Sequence, residues 1–245
     1  MNTFENIRRQ IPKLINSIIA IGNPMVDITA QCEMNHIEEF HLNEGINYST
    51  NNNVGFFSRI EEMIYVSKSP GGSALNILRS LSWCLKNNNI KGKKLSILGS
   101  VGDDIYKNMI IRSLQSLDIN TELLEQLPNK STSKCAVAIY ENKGYFLTDI
   151  LASKLLSINF VQNNWNEILS HDAIIIEGYF IKENYQLCRQ ICEQFSNNGK
   201  YIILTLSDPS TIEQCRNEIN EIAKMADMIV GSQKSALKFI GEQNN

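Results

Sequence analysis

What the sequence lacks narrows its function first. No uninterrupted apolar run approaches the ~20 residues that a membrane-spanning helix needs, so no membrane partner is expected. The N-terminal stretch MNTFENIRRQIPKLINS holds two arginines and a lysine but no apolar core followed by a small-residue cleavage site, which argues against a secretory signal. No basic stripe is visible and the formal net charge is -3, so nucleic acid is not an expected partner. Histidine is scarce: His36, His41 and His171 are dispersed, the first two in polar surroundings that suit solvated side chains better than ligands. None of the six cysteines (Cys32, Cys84, Cys135, Cys188, Cys192, Cys215) forms a C-x-x-C pair, and most sit in apolar segments where cysteine behaves as a small hydrophobe. Cys188 and Cys192 share a helical face, yet no histidine lies near them to complete a metal site. These absences describe a reduced, cytoplasmic protein without an internal repeat.

What is present is enough for a sizeable core: 245 residues, 43% of them hydrophobic and 20% charged. Short apolar runs alternate with helical patterns. Ser17 to Ile21, Leu95 to Gly99, Ala173 to Glu177, Tyr201 to Leu206 and Asp227 to Val230 read as buried strands. Between them, Leu75, Leu78, Leu81 and Leu85 recur at helical spacing after Ser73, a good N-cap, and Ile105, Ile110, Leu114 and Leu117 mark a second helix. Further helices are expected around Tyr185 to Phe195, from Thr211 to Lys224, and from Gln233. Strands buried on both faces and separated by single helices predict an α/β fold with a doubly wound, mainly parallel sheet. Two segments break the rhythm. Ile28 to Val66 is polar and mixed, and Cys135 to Thr148 reads as a hairpin turning at Glu141-Asn142-Lys143-Gly144. Asparagine runs at 51–53 and 87–89 mark loops. The predicted organisation is a main domain of 1–27, 68–130 and 150–245 with a small β lid of 28–67 and 131–149. Such a lid would exclude water from a site beneath it.

In an open α/β sheet, ligands bind beyond the carboxyl ends of the strands. Three loops would gather there: Gly22-Asn23-Pro24 with Asp27, Pro70-Gly71-Gly72 with Asn76, and Gly99 to Asp104. Asp27 can accept from two neighbouring hydroxyls, Asn23 and Asn76 can each donate and accept, and Gly71 and Gly72 let backbone approach a sugar ring. Taken singly, each has a plain alternative: a surface carboxylate on an alternating strand, a helix-surface amide, a turn. Together they make a polyol-binding set with no nucleophile and no metal cluster.

The order G-N-P-x-x-D, then G-G-S-x-x-N opening a helix, then G-x-x-G-x-D resembles the ribokinase-like (PfkB) sugar and nucleoside kinases, most nearly the adenosine kinase branch. Trp83, Thr132, Cys135, Gly178-Tyr179-Phe180, and Leu206-Ser207 with Pro209 extend the likeness over about Ser17 to Ile240. The resemblance implies transfer of the γ-phosphate of ATP, with Mg2+, to the 5′-hydroxyl of adenosine or a related nucleoside, in purine salvage. It implies that Asp27 binds the ribose hydroxyls, that Asn23, Gly71, Gly72 and Asn76 complete the sugar site beside Cys135, and that Phe180 and Phe146 enclose the adenine. For both phenylalanines, core packing is the alternative.

The departures lie on the phosphate side. The family's D-T-x-G-A-G-D motif, which supplies the catalytic aspartate and anion hole, does not occur before the final Glu242-Gln243-Asn244-Asn245. Where N-x-x-E is expected stand Ser232-Gln233-Lys234-Ser235. Gly144 replaces the hairpin arginine, with Lys143 beside it, and Thr205 replaces the asparagine of N-L-S-x-P. The chain as given is therefore expected to be a weak or inactive kinase: a piece of a longer enzyme, a degenerate nucleoside-binding relative, or a kinase of a simple sugar.

Overall fold

The computed structural model describes residues 14–43, 47–49, 55–63 and 66–241. The predicted loop at 51–53 lies outside them. Along the chain, β1 (Ser17–Ile21) leads through Gly22-Asn23-Pro24 into β2 (Met25–Gln31). The short helix α1 (Met34–Glu39), strand β3 (Asn47–Ser49) and helix α2 (Phe56–Glu61) precede β4 (Val66–Gly71). Helix α3 (Ser73–Asn87) is followed by β5 (Lys94–Gly102), α4 (Ile105–Gln115), and the short strands β6 (Ile119–Asn120) and β7 (Leu124–Leu127). Next come β8 (Ser133–Tyr140), β9 (Lys143–Asp149), α5 (Ile158–Asn163), α6 (Trp165–Ile168) and β10 (Ala173–Glu177). The last elements are α7 (Gly178–Asn197), β11 (Tyr201–Thr205), α8 (Pro209–Gln214), α9 (Arg216–Ala223), β12 (Met228–Val230) and α10 (Gln233–Ile240). This is an α/β fold with a mainly parallel central sheet and a separate small sheet. The chain divides into two compact units: Met1–Ile21, Cys84–Ser96 and Ile158–Asn245, and Gly22–Trp83 with Ile97–Ser157.

In the first unit the strands run β12-β11-β10-β1, and the start of β5 follows, where Lys94 N–H donates to Asn16 O. Pairing is parallel and in register, with Ile19 beside Ile174 and Ile174 beside Ile202. Every residue of β10 is buried, which is why an unbroken isoleucine run reads as a strand covered on both faces. Helix α7 buries Leu187, Cys188, Ile191, Cys192 and Phe195 at helical spacing, and burial pushes the Cys192 thiol up to about 12. These cysteines act as packing groups. The single helix expected over 211–224 is instead two, broken at Cys215, whose φ of -131° and ψ of 44° leave the helical region. In β12, Met228, Ile229 and Val230 are each 40–47% exposed because β12 is the edge strand among the described residues.

His171, fully buried, closes α6 onto the sheet. Its Nδ1 lies 3.0 Å from Glu167 O and 3.2 Å from Ile168 O, so Nδ1 carries the proton and Nε2 accepts from Ser96 Oγ at 2.7 Å. Burial, then the Lys94 charge, hold the imidazole below its ordinary range against the pull of the two carbonyls and Glu167. The unfolded chain therefore binds this proton at higher pH than the folded one. The associated stability is complete above the ordinary value near 6.5 and is lost as pH falls from there toward the folded-state value, by at most about 1.4 kcal/mol per pH unit. Thermal unfolding of the protein between pH 7.5 and 5 is expected to show this loss, and His171→Gln is expected to flatten it. An unchanged slope in the variant would contradict it.

The second unit holds the small sheet, ordered β3-β9-β8-β2-β4. In β2, Val26, Ile28 and Ala30 are buried while Met25, Asp27 and Thr29 alternate onto the other, half-buried face. Helices α2 and α4 pack against this sheet, and Tyr106 O–H donates to Glu61 while accepting from Lys68, each at 2.9 Å. The hairpin turns more tightly than expected. Glu141 (φ 46°) and Asn142 (φ 62°) form the turn alone, while Lys143 and Gly144 already belong to β9. In α4 the core is met by Tyr106, Ile110 and Leu114, whereas Ile105 is 74% exposed, contrary to its expected place on the apolar stripe.

Candidate functional site

Antiparallel pairing of β2 with β4 sets Met25 opposite Gly71, Val26 opposite Pro70 and Asp27 opposite Ser69. This brings the G-N-P turn against the second glycine turn. A Cβ on Gly71 would lie 2.3 Å from the carboxyl atoms of Asp27, and one on Gly72 would lie 2.2 Å from Asn23 O. Gly72 also has φ +98°, which side chains rarely adopt. Its carbonyl accepts from Asn76 N–H at 2.9 Å, so Gly72 occupies the cap position and Ser73, expected as the cap, is the first helical residue. The two glycines are required because other backbone and a carboxylate already fill the space where side chains would stand. A third loop joins them: Gly22 N–H donates to Leu98 O at 3.3 Å, and a Cβ on Gly99 would meet Pro24 at 2.9 Å.

Asp27 sits at the centre of this arrangement. Burial raises its carboxyl to about 6, and the Arg79 guanidinium opposes that rise. Across the sheet, Cys135 on β8 is opposite Asp27 and Thr148 on β9 is opposite Cys135. Burial pushes the Cys135 thiol up to about 12, the Thr148 hydroxyl opposes that, and the Asp27 charge adds to it. A thiol held in this way is not poised as a nucleophile. Phe146 lies two residues along β9 from Thr148, on the same face, with its ring across Gly144. Asn23 is buried, and Asn76 is exposed on the first turn of α3.

Arg79, one turn after Asn76, joins this candidate arrangement, and reading the sequence misses it. Its Nη1 donates to Pro70 O at 3.0 Å and to Asn76 Oδ1 at 3.3 Å. The i,i+3 spacing from Asn76 is the signal that could have found it. Of the expected site residues, Asn23, Asp27, Gly71, Gly72, Asn76, Cys135 and Phe146 come from the second unit. Phe180 belongs to the first unit, fully buried in the opening turn of α7.

The G-x-x-G-x-D stretch has a structural task. Asp104 caps α4 by accepting from Tyr106 N–H and Lys107 N–H, and it also accepts from Thr132 N–H at 2.8 Å and Thr132 Oγ1 at 2.7 Å. Burial opposes its ionisation, yet these donors hold its carboxyl below the usual range. A Cβ on Gly102 would strike Lys130 O at 2.3 Å, so this loop is clamped against the segment entering β8.

Residues 46–245 match the pfkB family of carbohydrate kinases. The chain belongs to that family. An adenosine kinase of Dictyostelium discoideum is 22% identical over 223 residues, 89% of this chain and 64% of that relative. The chain thus spans under two thirds of the length of the curated relative it matches. Adenosine kinase from Schistosoma mansoni in complex with 2-fluoroadenosine superposes with a TM-score of 0.84 at 20% identity, covering 92% of this chain and 65% of that one. Anopheles gambiae adenosine kinase in complex with P1,P4-di(adenosine-5) tetraphosphate gives 0.81 at 17% identity, covering 91% and 66%. The pfkB fold predicted from strand order and glycine motifs is the fold observed.

In this pfkB chain, Ser232 caps α10 by accepting from Ser235 N–H, and Ser235 Oγ donates to Ser207 O at 2.7 Å. Ser207 itself holds φ +61°, and its Oγ accepts from Tyr179 N–H. The positions expected to carry an amide and a carboxylate thus carry hydroxyls engaged with each other and with a backbone loop. Among the described residues no group of three or more His, Cys, Asp or Glu side chains could hold a metal ion. At 232 and 235 the chain thus offers a cation no carboxylate, only hydroxyls already engaged.

Proposed function

We propose that the chain binds the ribose of adenosine or a related nucleoside on the Asp27 face of its small sheet, within an adenosine-kinase-like phosphotransferase whose family reaction converts ATP and adenosine to ADP and AMP. The observation that carries this reading is the bare backbone of Gly71 against the buried Asp27 carboxyl, with Gly72 against the Asn23 carbonyl and Asn76 following. A buried carboxylate beside side-chain-free backbone suits a ligand that brings its own hydroxyl donors. The adenosine kinases of similar fold support adenosine over other polyols. Phe146 is assigned to cover the base. All six cysteines are free, in keeping with a cytoplasmic protein.

A second reading has its own support. Ser232 and Ser235 in place of phosphate-organising groups favour a nucleoside-binding protein without turnover. Calorimetric titration with adenosine, followed by a coupled assay with ATP and magnesium, separates the two. Adenosine binding is expected for the chain and is expected to weaken at least about 100-fold in Asp27→Ala, the loss of charge-assisted bonds to two hydroxyls. AMP formation would select the kinase, and binding without AMP the second reading. A folded chain that does not bind adenosine would end both.

A further inference from the structure

We propose that Arg79 is a positioning residue of the sugar site: by fixing the Asn76 amide and the Pro70 carbonyl it leaves Asn76 able only to donate toward a ligand, and so selects for hydroxyl groups. This rests on the nucleoside reading above and adds to it the residue that sets its specificity. A guanidinium carries only donors. The atom of Asn76 that faces Arg79 Nη1 at 3.3 Å is therefore the amide oxygen, and the NH2 group is turned the other way. Without that partner the exposed amide is free to rotate and to present either end.

The same Nη1 holds Pro70 O at 3.0 Å, immediately before the glycines that lie against Asp27 and Asn23. One side chain thus anchors the helix-borne amide and the strand end that forms the opposite wall. A ligand atom meeting Asn76 must accept, and one meeting ionised Asp27 must donate. A hydroxyl does both, while a C–H at the same position does neither. The groups that face Asp27 are Arg79 from α3 and Cys135 from β8, while β4 contributes Ser69 and Gly71, which do not titrate in this range. Arg79 is thus the cation that favours the ionised carboxyl against burial.

The test compares adenosine with 2′,3′-dideoxyadenosine, which lacks both ribose hydroxyls, by equilibrium binding to the full chain between pH 5 and 8. The unaltered chain is expected to prefer adenosine by about 100-fold. Arg79→Met is expected to weaken adenosine by about tenfold and the dideoxy compound hardly at all, and to move the pH midpoint of adenosine binding upward. Arg79→Lys is expected to return the pH midpoint but only part of the discrimination. Asn76→Asp, on an exposed position, keeps Arg79 paired but cannot donate, so it too is expected to lose discrimination even if Arg79→Met fails to fold. Equal weakening of both compounds with an unmoved pH midpoint, or full discrimination in Asn76→Asp, would overturn the proposal. An unaltered chain that ignores adenosine, or binds it equally well as Asp27→Ala, would remove the nucleoside reading itself and the proposal with it.

Discussion

Replacing Gly72 by alanine is expected to destabilise the protein by about 2–5 kcal/mol, the largest single effect of any substitution in the site. Two costs add. A side chain at φ +98° meets the strain of a positive φ, about 1–2 kcal/mol, and its Cβ would lie 2.2 Å from the Asn23 carbonyl oxygen. That neighbour is backbone tied into the start of β2, so relief requires the G-N-P turn to move, at a further cost of about 1–3 kcal/mol. Gly92 separates the two costs. It has φ +76°, but a methyl group there would find nothing within 4 Å, so Gly92→Ala is expected to lose only the conformational part. Urea unfolding of both variants measures the difference. Equal losses would mean that the Asn23 contact yields freely and that the glycine pair serves the turn alone. A larger loss in Gly72→Ala, with adenosine binding gone under conditions where the variant is still folded, ties the close approach of the two turns to the site.

The parts of this protein legible in the sequence are those in which one physical rule acts alone. Isoleucines in β10 are buried on both faces, so an unbroken apolar run suffices to identify the strand. Strand β2 is hidden in a stretch that reads as polar because only Val26, Ile28 and Ala30 face a core, while Asp27 and Thr29 serve the other face. Ile105 follows the Asp104 cap and points outward, since the cap fixes the helix phase and the stripe begins with Tyr106. The break at Cys215 has no signal in helical periodicity, because α8 and α9 each keep an apolar face of their own. At the site, the glycines announce a close approach but not its partners. Asn23 O and the Asp27 carboxyl become neighbours only through the register of β2 against β4. The capping and clamping role of Asp104 is illegible for the same reason, since Thr132 reaches it from 28 residues away.

Asp27→Asn is expected to raise the stability of the protein at pH 7 while lowering adenosine affinity at least about 100-fold. The carboxyl is raised from 3.8 to about 6 in the fold, first by burial, with Arg79 in opposition. Between those values the folded chain binds a proton that the unfolded chain has released, so the native state gains stability as pH falls through 6 toward 3.8. At pH 7 the ionised group is therefore a net cost. The full shift corresponds to about 3 kcal/mol, and the partial solvent contact of the carboxyl reduces the realised figure to about 1–2 kcal/mol. For a chain of this size that is a rise of about 2–8 °C in the unfolding midpoint. The asparagine variant keeps the shape and removes the charge, so its advantage is expected to close as the pH approaches 4, where the unaltered carboxyl is neutral as well. Adenosine reverses the sign of the same energy. Two hydroxyl donors stabilise the ionised form, so binding releases a proton below pH 6 and affinity is expected to rise about tenfold per pH unit up to that point, then level off. Scanning calorimetry of both proteins at pH 7 and pH 4, with and without adenosine, reads all of these at once. Equal midpoints at pH 7, or a gain that persists at pH 4, would show that Asp27 is not held at a cost, and would separate the carboxyl from the ligand it is assigned.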